Sequence, residues 1–186
     1  MTPIAFTTWT APLGTLVIAA SARGLAGAWF DAQKHFAGPA TAWRRDDDHP
    51  VLEEAIRQLA GYFAGTRQEF DLPCDPAGTP FQQAVWRAIA TVRYGEVLTY
   101  AALAARAGAP GAARAAGAAT GRNPLSIIVP CHRIVGASGA LTGYAGGLAR
   151  KEALLALERA TAGRAAGTTG DLWRDGAPTH ALAAPA

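Results

Sequence analysis

Nine residues, Leu72 to Pro80, carry three prolines and a glycine, and the pattern of apolar residues changes character across them. No helix or central strand runs through such a segment, because proline lacks a backbone donor and clashes inside a helix. The chain is therefore expected to divide there. Before it, Ile4 to Thr10 and Leu13 to Ala20 read as strands separated by Ala11-Pro12, and Gly24 to Phe30 adds a third. His35 to Pro50 reads as a loop in which Asp46, Asp47 and Asp48 are a solvated run. Leu52 to Phe63 has helical spacing, with Leu52, Ile56, Leu59 and Phe63 on one face. Beyond the proline-rich segment a helix is expected from about Phe81 to Thr91, then short helices, a buried strand at Ile127 to Val129, and a helix from about Ala149 to Arg159. The expected class is α/β in the α+β sense. A small N-terminal sheet-plus-helix domain occupies 1–78 and a mainly helical domain 79–160. Residues 161–186, rich in Ala, Gly, Thr and Pro, are expected to form a mobile tail apart from a contact by Leu172 and Trp173.

Charge divides along the same line. Residues 1–80 carry a net −3, residues 81–151 a net +7 and residues 152–186 a net −1. A basic excess concentrated in one region suits either a polyanionic partner or a solvated arginine-rich surface. Two cysteines and four histidines, with no CxxC, make neither a disulfide framework nor a zinc site, so a reducing cytoplasm fits best and no metal is expected. Leu16 to Ala22 superficially resembles a signal-peptide cleavage region, but no basic residue precedes it, since the first is Arg23. No segment is apolar for long enough to span a membrane.

Within the basic region, Thr99 is placed to cap a helix from Tyr100 to about Ala107. Gly108-Ala109-Pro110-Gly111 breaks it, and Ala112 to Ala119 begins another. This is the layout of a helix-turn-helix. Its second helix offers mostly alanine, which reaches few base edges but lies close to a sugar-phosphate backbone or fills a narrow groove. Arg114 is its one long side chain. Downstream, Pro130-Cys131-His132-Arg133 sets a thiol beside an imidazole and a guanidinium. Flanking cations favour the thiolate, the reactive form of cysteine, whereas a core cysteine beside two surface residues is the ordinary alternative.

The text around that tetrapeptide decides between them. Asn123-Pro124-Leu125-Ser126-Ile127-Ile128-Val129-Pro130-Cys131-His132-Arg133-Ile134-Val135-Gly136, then Gly139-Ala140-Leu141-Thr142-Gly143-Tyr144-Ala145-Gly146-Gly147 and Lys151-Glu152-Ala153-Leu154-Leu155-Ala156-Leu157-Glu158, closely resembles the O6-alkylguanine-DNA alkyltransferases. The likeness extends upstream through Phe81-Gln82-Gln83-Ala84-Val85-Trp86, Tyr94-Gly95-Glu96-Val97, Thr99-Tyr100 and Ala112 to Gly117. It covers about residues 80–160 strongly and the first 80 only in general character.

The resemblance implies a methylated-DNA-protein-cysteine S-methyltransferase, a DNA repair protein acting as a monomer without a cofactor. It would flip O6-alkylguanine out of double-stranded DNA and move the alkyl group irreversibly to Cys131, once per molecule; O4-alkylthymine stays open as a second substrate. It implies His132 as the base and Glu158 as the group orienting it. Helical spacing adds that Leu148, Leu155 and Glu158 share a face of the last helix. Asn123 would tie the active-site turn to the recognition helix. Arg114, Ala115, Ala116, Gly117 and Arg122 would meet DNA, with Arg114 filling the space left by the extruded nucleotide. Tyr100 would serve the phosphate and the base N3, the carbonyls of Cys131 and Ile134 the exocyclic amine, and the Ala145 amide O6. Tyr144 would line the alkyl pocket, with Ser126 near its lip, and Gly146 would belong to the residues that bind substrate or DNA. Arg93, Leu157 and Ala145 depart from the family's common proline, histidine and serine, and none of these changes removes a reacting group. Two other classes stay open: a lesion-binding protein without transfer, and a Cys-His hydrolase.

Overall fold

The computed structural model describes residues 4–163 and Leu172. Strands β1 (Ala5–Ala11), β2 (Gly14–Ser21) and β3 (Gly24–Phe30) form an antiparallel meander, and the two-residue β4 (Arg44–Arg45) pairs parallel with β1, giving the order β3-β2-β1-β4. The expected strands are present. The loop expected over His35 to Pro50 is interrupted by β4, too short to carry a periodic signal.

Helix α1 (Pro50–Phe63) covers one face of the sheet, its N-terminus set by His49 and by Pro50 at the first helical position. It buries Leu52, Ala55, Leu59 and Tyr62 against Leu16, Ile18, Ala28 and Phe30. Ile56 and Phe63 are only partly buried, so the face is turned from the expected one toward Ala55 and Tyr62. The opposite face of the sheet is closed by its own aromatics. Trp29 stacks on Phe36 with ring centroids 4.4 Å apart, and Trp43 leans on both. Trp29 folds across Gly27, where a Cβ would lie 1.8 Å from the indole ring.

The free edge of β3 is where the two halves of the chain meet. At its start the proline-rich segment runs alongside as a strap: Leu25 N donates to Pro73 O at 2.7 Å and Asp75 N to Leu25 O at 2.8 Å. Further along, Ala28 N donates to Pro124 O at 2.8 Å and Ser126 N to Ala28 O at 2.9 Å. An exposed strand edge is a row of unpaired donors and acceptors. Here that row is used to hold the turn leading to Cys131.

The second half contains α2 (Pro80–Ala90), β5 (Leu98–Thr99), α3 (Tyr100–Arg106), α4 (Ala113–Gly121), a single 3-10 turn (Cys131–Arg133), β6 (Ile134–Val135) and α5 (Leu148–Thr161). A Thr79–Gln82 capping box starts α2, and Thr99 caps α3 by accepting from Ala102 N. Trp86 Nε1 donates to Ala119 O at 2.9 Å, locking α2 onto α4. β5 and β6 pair in parallel. The strand expected at Ile127 to Val129 is absent. Those residues are fully buried, but they form a turn in which Val129 N donates to Leu125 O and Ile127 takes φ +73°. A three-residue apolar run between prolines signals burial, and burial alone does not specify a ladder. On α5 the buried stripe is Lys151, Leu154, Leu155, Glu158 and Thr161, whereas Leu148 is 49 % exposed. The tail expectation lies outside the described residues except at Leu172, which is buried against the core.

Candidate active site

Asn123 follows the Arg122 cap of α4 and organises the turn after it. Its Oδ1 accepts from Leu125 N at 3.0 Å, and its Nδ2 donates to Val129 O at 2.8 Å and to Cys131 Sγ at 3.1 Å. One buried amide thus shapes the turn and holds the sulfur. Cys131, His132 and Arg133 occupy successive positions of the 3-10 turn, all buried, and diverge.

Arg133 turns away from the sulfur. Its guanidinium donates to both oxygens of Glu158, at 2.9 and 3.0 Å, and to Val92 O at 2.6 Å, and it lies over the Tyr94 ring. The electropositive setting expected from the neighbouring arginine is therefore not what Cys131 experiences. Burial pushes its thiol pKa up, opposed by the Asn123 hydrogen bond and by the charge of Lys151. Lys151 is the cation near the sulfur. It is fully buried, with Nζ donating to Ile134 O at 2.5 Å, Thr142 O at 3.0 Å and Gly143 O at 3.4 Å.

Glu158 has no solvent exposure. Burial by itself would raise its pKa, but hydrogen bonds and charge from His132 and Arg133 outweigh that and leave it well below the usual carboxylate range. It accepts from Tyr62 Oη at 2.7 Å and from Gly95 N at 3.1 Å, and its Oε1 lies 2.7 Å from His132 Nε2. An ionised carboxylate only accepts, so His132 Nε2 carries the proton and Nδ1 carries the lone pair. Nδ1 is buried without a hydrogen-bond partner among the described residues. Burial also lowers the imidazole pKa against the pull of Glu158. The ring is thus neutral at neutral pH, a base with its acceptor atom free.

A cavity of about 430 Å³ opens onto Cys131. Of the residues expected at the site it is lined by Tyr100, Gly117, Arg122, Tyr144 and Ala145. Tyr100 Oη donates to Thr142 O at 3.2 Å, and partial burial raises its pKa, keeping the phenol a donor. The Tyr144 hydroxyl is buried near Ser126 without a hydrogen bond of good geometry. Gly146 is buried against Phe30 and the Tyr144 ring. On α4, Arg114, Ala115, Ala118 and Arg122 form one exposed stripe.

Two placements differ from expectation. Ala116 is fully buried in the core, because helical periodicity sets it opposite the exposed stripe. Ser126 is 1 % exposed and donates to Gln33 Oε1 at 2.8 Å, so it stands behind the pocket rather than at its lip. The Ile134 carbonyl accepts from Lys151, which leaves its second lone pair for the exocyclic amine. Sequence reasoning assigned no role to Tyr62, Lys151, Lys34 or His35. Lys151 had a signal, lying seven residues before Glu158 on one helix face. Tyr62, and the pocket-lining Lys34 and His35, come from the first half of the chain and had none.

Two family models match: "6-O-methylguanine DNA methyltransferase, ribonuclease-like domain" over residues 4–76 and "6-O-methylguanine DNA methyltransferase, DNA binding domain" over residues 80–160. A methylated-DNA–protein-cysteine methyltransferase of Mycolicibacterium paratuberculosis is 59 % identical over 105 residues, 56 % of this chain and 64 % of that protein. One from Methanosarcina acetivorans is 45 % identical over 79 % of this chain and 93 % of its own length. Among solved structures, Mycobacterium tuberculosis OGT in complex with DNA superposes with a TM-score of 0.78 at 46 % identity, covering 84 % of this chain and 94 % of that one.

Proposed function

The chain belongs to the 6-O-methylguanine DNA methyltransferase family, and we propose that it repairs double-stranded DNA by accepting the alkyl group of O6-alkylguanine on Cys131. The observation that carries this reading is the buried Glu158–His132 pair set beside a cysteine that opens onto a nucleotide-sized cavity. An O6 substituent lies within the base stack, so the nucleotide must leave the duplex to meet the sulfur. The exposed Arg114–Ala115–Ala118–Arg122 stripe is the surface that takes the duplex, and its small side chains allow close approach to the minor groove. Arg114 holds the gap left by the extruded nucleotide.

The residues then divide the work. His132 Nδ1 takes the thiol proton, through a bridging water, while Glu158 fixes the tautomer and steadies the imidazolium that forms. The Cys131 thiolate displaces the alkyl carbon: a carbon–sulfur bond forms, the carbon–O6 bond breaks, and the electron pair stays on guanine. Tyr100 donates toward the base to neutralise that charge. The buried Lys151 ammonium opposes the cost of generating a thiolate in an apolar site. The product is a thioether, which water does not readily hydrolyse, so the protein acts once. A thiol acceptor suits a reducing compartment such as the cytoplasm, and among the described residues no helix is long and apolar enough to cross a membrane. All the residues proposed for the site come from one chain, which suits action as a monomer.

Intact mass spectrometry tests the reading. With excess methylated duplex, repaired guanine should plateau at one equivalent and the peptide containing Cys131 should gain the mass of a methyl group. Turnover past that plateau with Cys131 unmodified indicates a hydrolase. Binding without any mass change indicates a lesion-binding protein. The Cys131→Ala variant should bind duplex and transfer nothing.

A further inference from the structure

The cavity that reaches Cys131 has a wall that the helix-turn-helix does not supply. Lys34 and His35, from the loop between β3 and β4, line it together with Tyr144 and Ala145. Both side chains are exposed. They belong to a region of net charge −3, yet no carboxylate lines the cavity among the described residues. The local charge at the rim is opposite to that of the region that provides it.

The loop is held rather than loose. Gln33 is buried, and its Oε1 accepts from Phe30 N at 3.2 Å and from Ser126 Oγ at 2.8 Å. Lys34 N donates to Ala145 O at 3.0 Å, and Phe36 stacks on Trp29. Between these anchors, Ala32 and His35 take φ +57° and +68°, a conformation that residues other than glycine adopt where their surroundings impose it. Anchors on both sides therefore present two cation-capable side chains at a fixed place on the rim.

We propose that Lys34 and His35 are a DNA-phosphate contact supplied by the N-terminal half of the chain, gripping the backbone of the extruded nucleotide from the wall that α4 does not provide. A base inserted into the cavity leaves its own flanking phosphates at the rim. Ammonium and imidazole N–H donors there meet phosphate oxygens, whereas α4 meets the duplex on the other side. The contact would steady the flipped state without reading sequence. It rests on the repair reading given above.

The experiment measures affinity of the full chain for a methylated duplex against sodium chloride concentration, for the unmodified protein, Lys34→Ala and Lys34→Arg. Loss of one phosphate contact should make the log–log salt slope of Lys34→Ala shallower by about 0.9 and weaken binding at low salt about tenfold. Lys34→Arg should keep the slope. An unchanged slope in Lys34→Ala overturns the assignment, whether or not affinity falls, because a distorted active-site loop weakens binding without altering the number of phosphates neutralised. Methyl transfer is followed by mass on the same duplex. If the unmodified protein takes up no methyl group, the repair reading falls and this contact with it. Normal uptake together with an unaltered slope removes the contact alone.

Discussion

Glu158 serves as acceptor for Tyr62, His132, Arg133 and Gly95 at once, so its removal strands a buried guanidinium. Glu158→Ala should therefore cost about 3–5 kcal/mol, the usual result of breaking a buried pair on one side, seen as a lower urea midpoint. Glu158→Gln keeps the shape but offers His132 a neutral partner. Alkyl transfer should slow by about 10²-fold or more, and full retention of rate would sink the proposed relay. The imidazole also sets the pH response. Its pKa is lowered from 6.5 by burial, so the transfer rate should hold as pH falls through 6.5 and decline only below it. A rate that halves at 6.5 itself would mean that His132 is solvated or not the base. Stability follows the same sign. Below 6.5 the unfolded chain binds a proton at His132 that the folded chain refuses, and below 4.5 another at Glu158, whose folded pKa is depressed. Both contributions are present at neutral pH and are lost progressively on acidification.

At the scale of elements, the duplex contact proposed for α4 depends on what its exposed stripe lacks. Ala118 sits between Arg114 and Arg122 on that stripe, and close approach to a phosphate backbone tolerates no carboxylate there. Ala118→Glu should weaken duplex binding about tenfold while leaving the unfolding midpoint nearly unchanged, since surface substitutions usually alter stability by less than about 0.5 kcal/mol. Arg114→Ala should slow transfer more than it weakens binding, measured by single-turnover rates beside anisotropy titrations. Equal losses in both would make Arg114 an ordinary phosphate contact. The same helix shows how far its pattern could be read in advance. Its alanine content pointed to a close-packed surface, but only its rotation against α2, pinned by Trp86 and Ala119, decided that Ala116 faces the core and Ala118 the outside. Helix α1 teaches the same point: a weakly different spacing, Leu52, Ala55, Leu59 and Tyr62, is buried, and that rotation delivers Tyr62 to Glu158.

Across the whole molecule, β3 joins the two halves by donating along one edge to the strap at Pro73 and to the active-site turn at Pro124. We expect a single cooperative unfolding transition for residues 4–163 rather than two, because the site's turn completes the sheet of the first half. Gly24 tests this. It has φ +149°, and a Cβ there would fall 2.3 Å from Pro73 O, so Gly24→Ala must displace the strap. A loss of about 1–3 kcal/mol is expected in calorimetry, with one transition still observed. Two separate transitions, or no loss, would show that the strap is a passive linker.

The linear text indicated most of the elements and, through the resemblance, the groups proposed to react. Proline and glycine marked the segment from Leu72 to Pro80, β-like runs marked the three strands, Thr99 marked the start of α3, and the ordered motif from Asn123 to Glu158 pointed to the groups proposed to react. These are local signals, readable because backbone sterics and hydrogen-bonding rules act over a few residues. What the tertiary structure decided was direction and company. Arg133, two positions from Cys131, points to Glu158; Lys151, twenty positions along the chain from the thiol, is the cation whose charge acts on it. The Ile127 to Val129 run became a buried turn instead of a strand, closed by Val129 N donating to Leu125 O and by the Asn123 amide donating to Val129 O. Tyr62, Lys34 and His35 entered the site from the first half of the chain. Coulomb and hydrogen-bond energies depend on distance in space, and sequence separation says little about that once a chain folds back on itself.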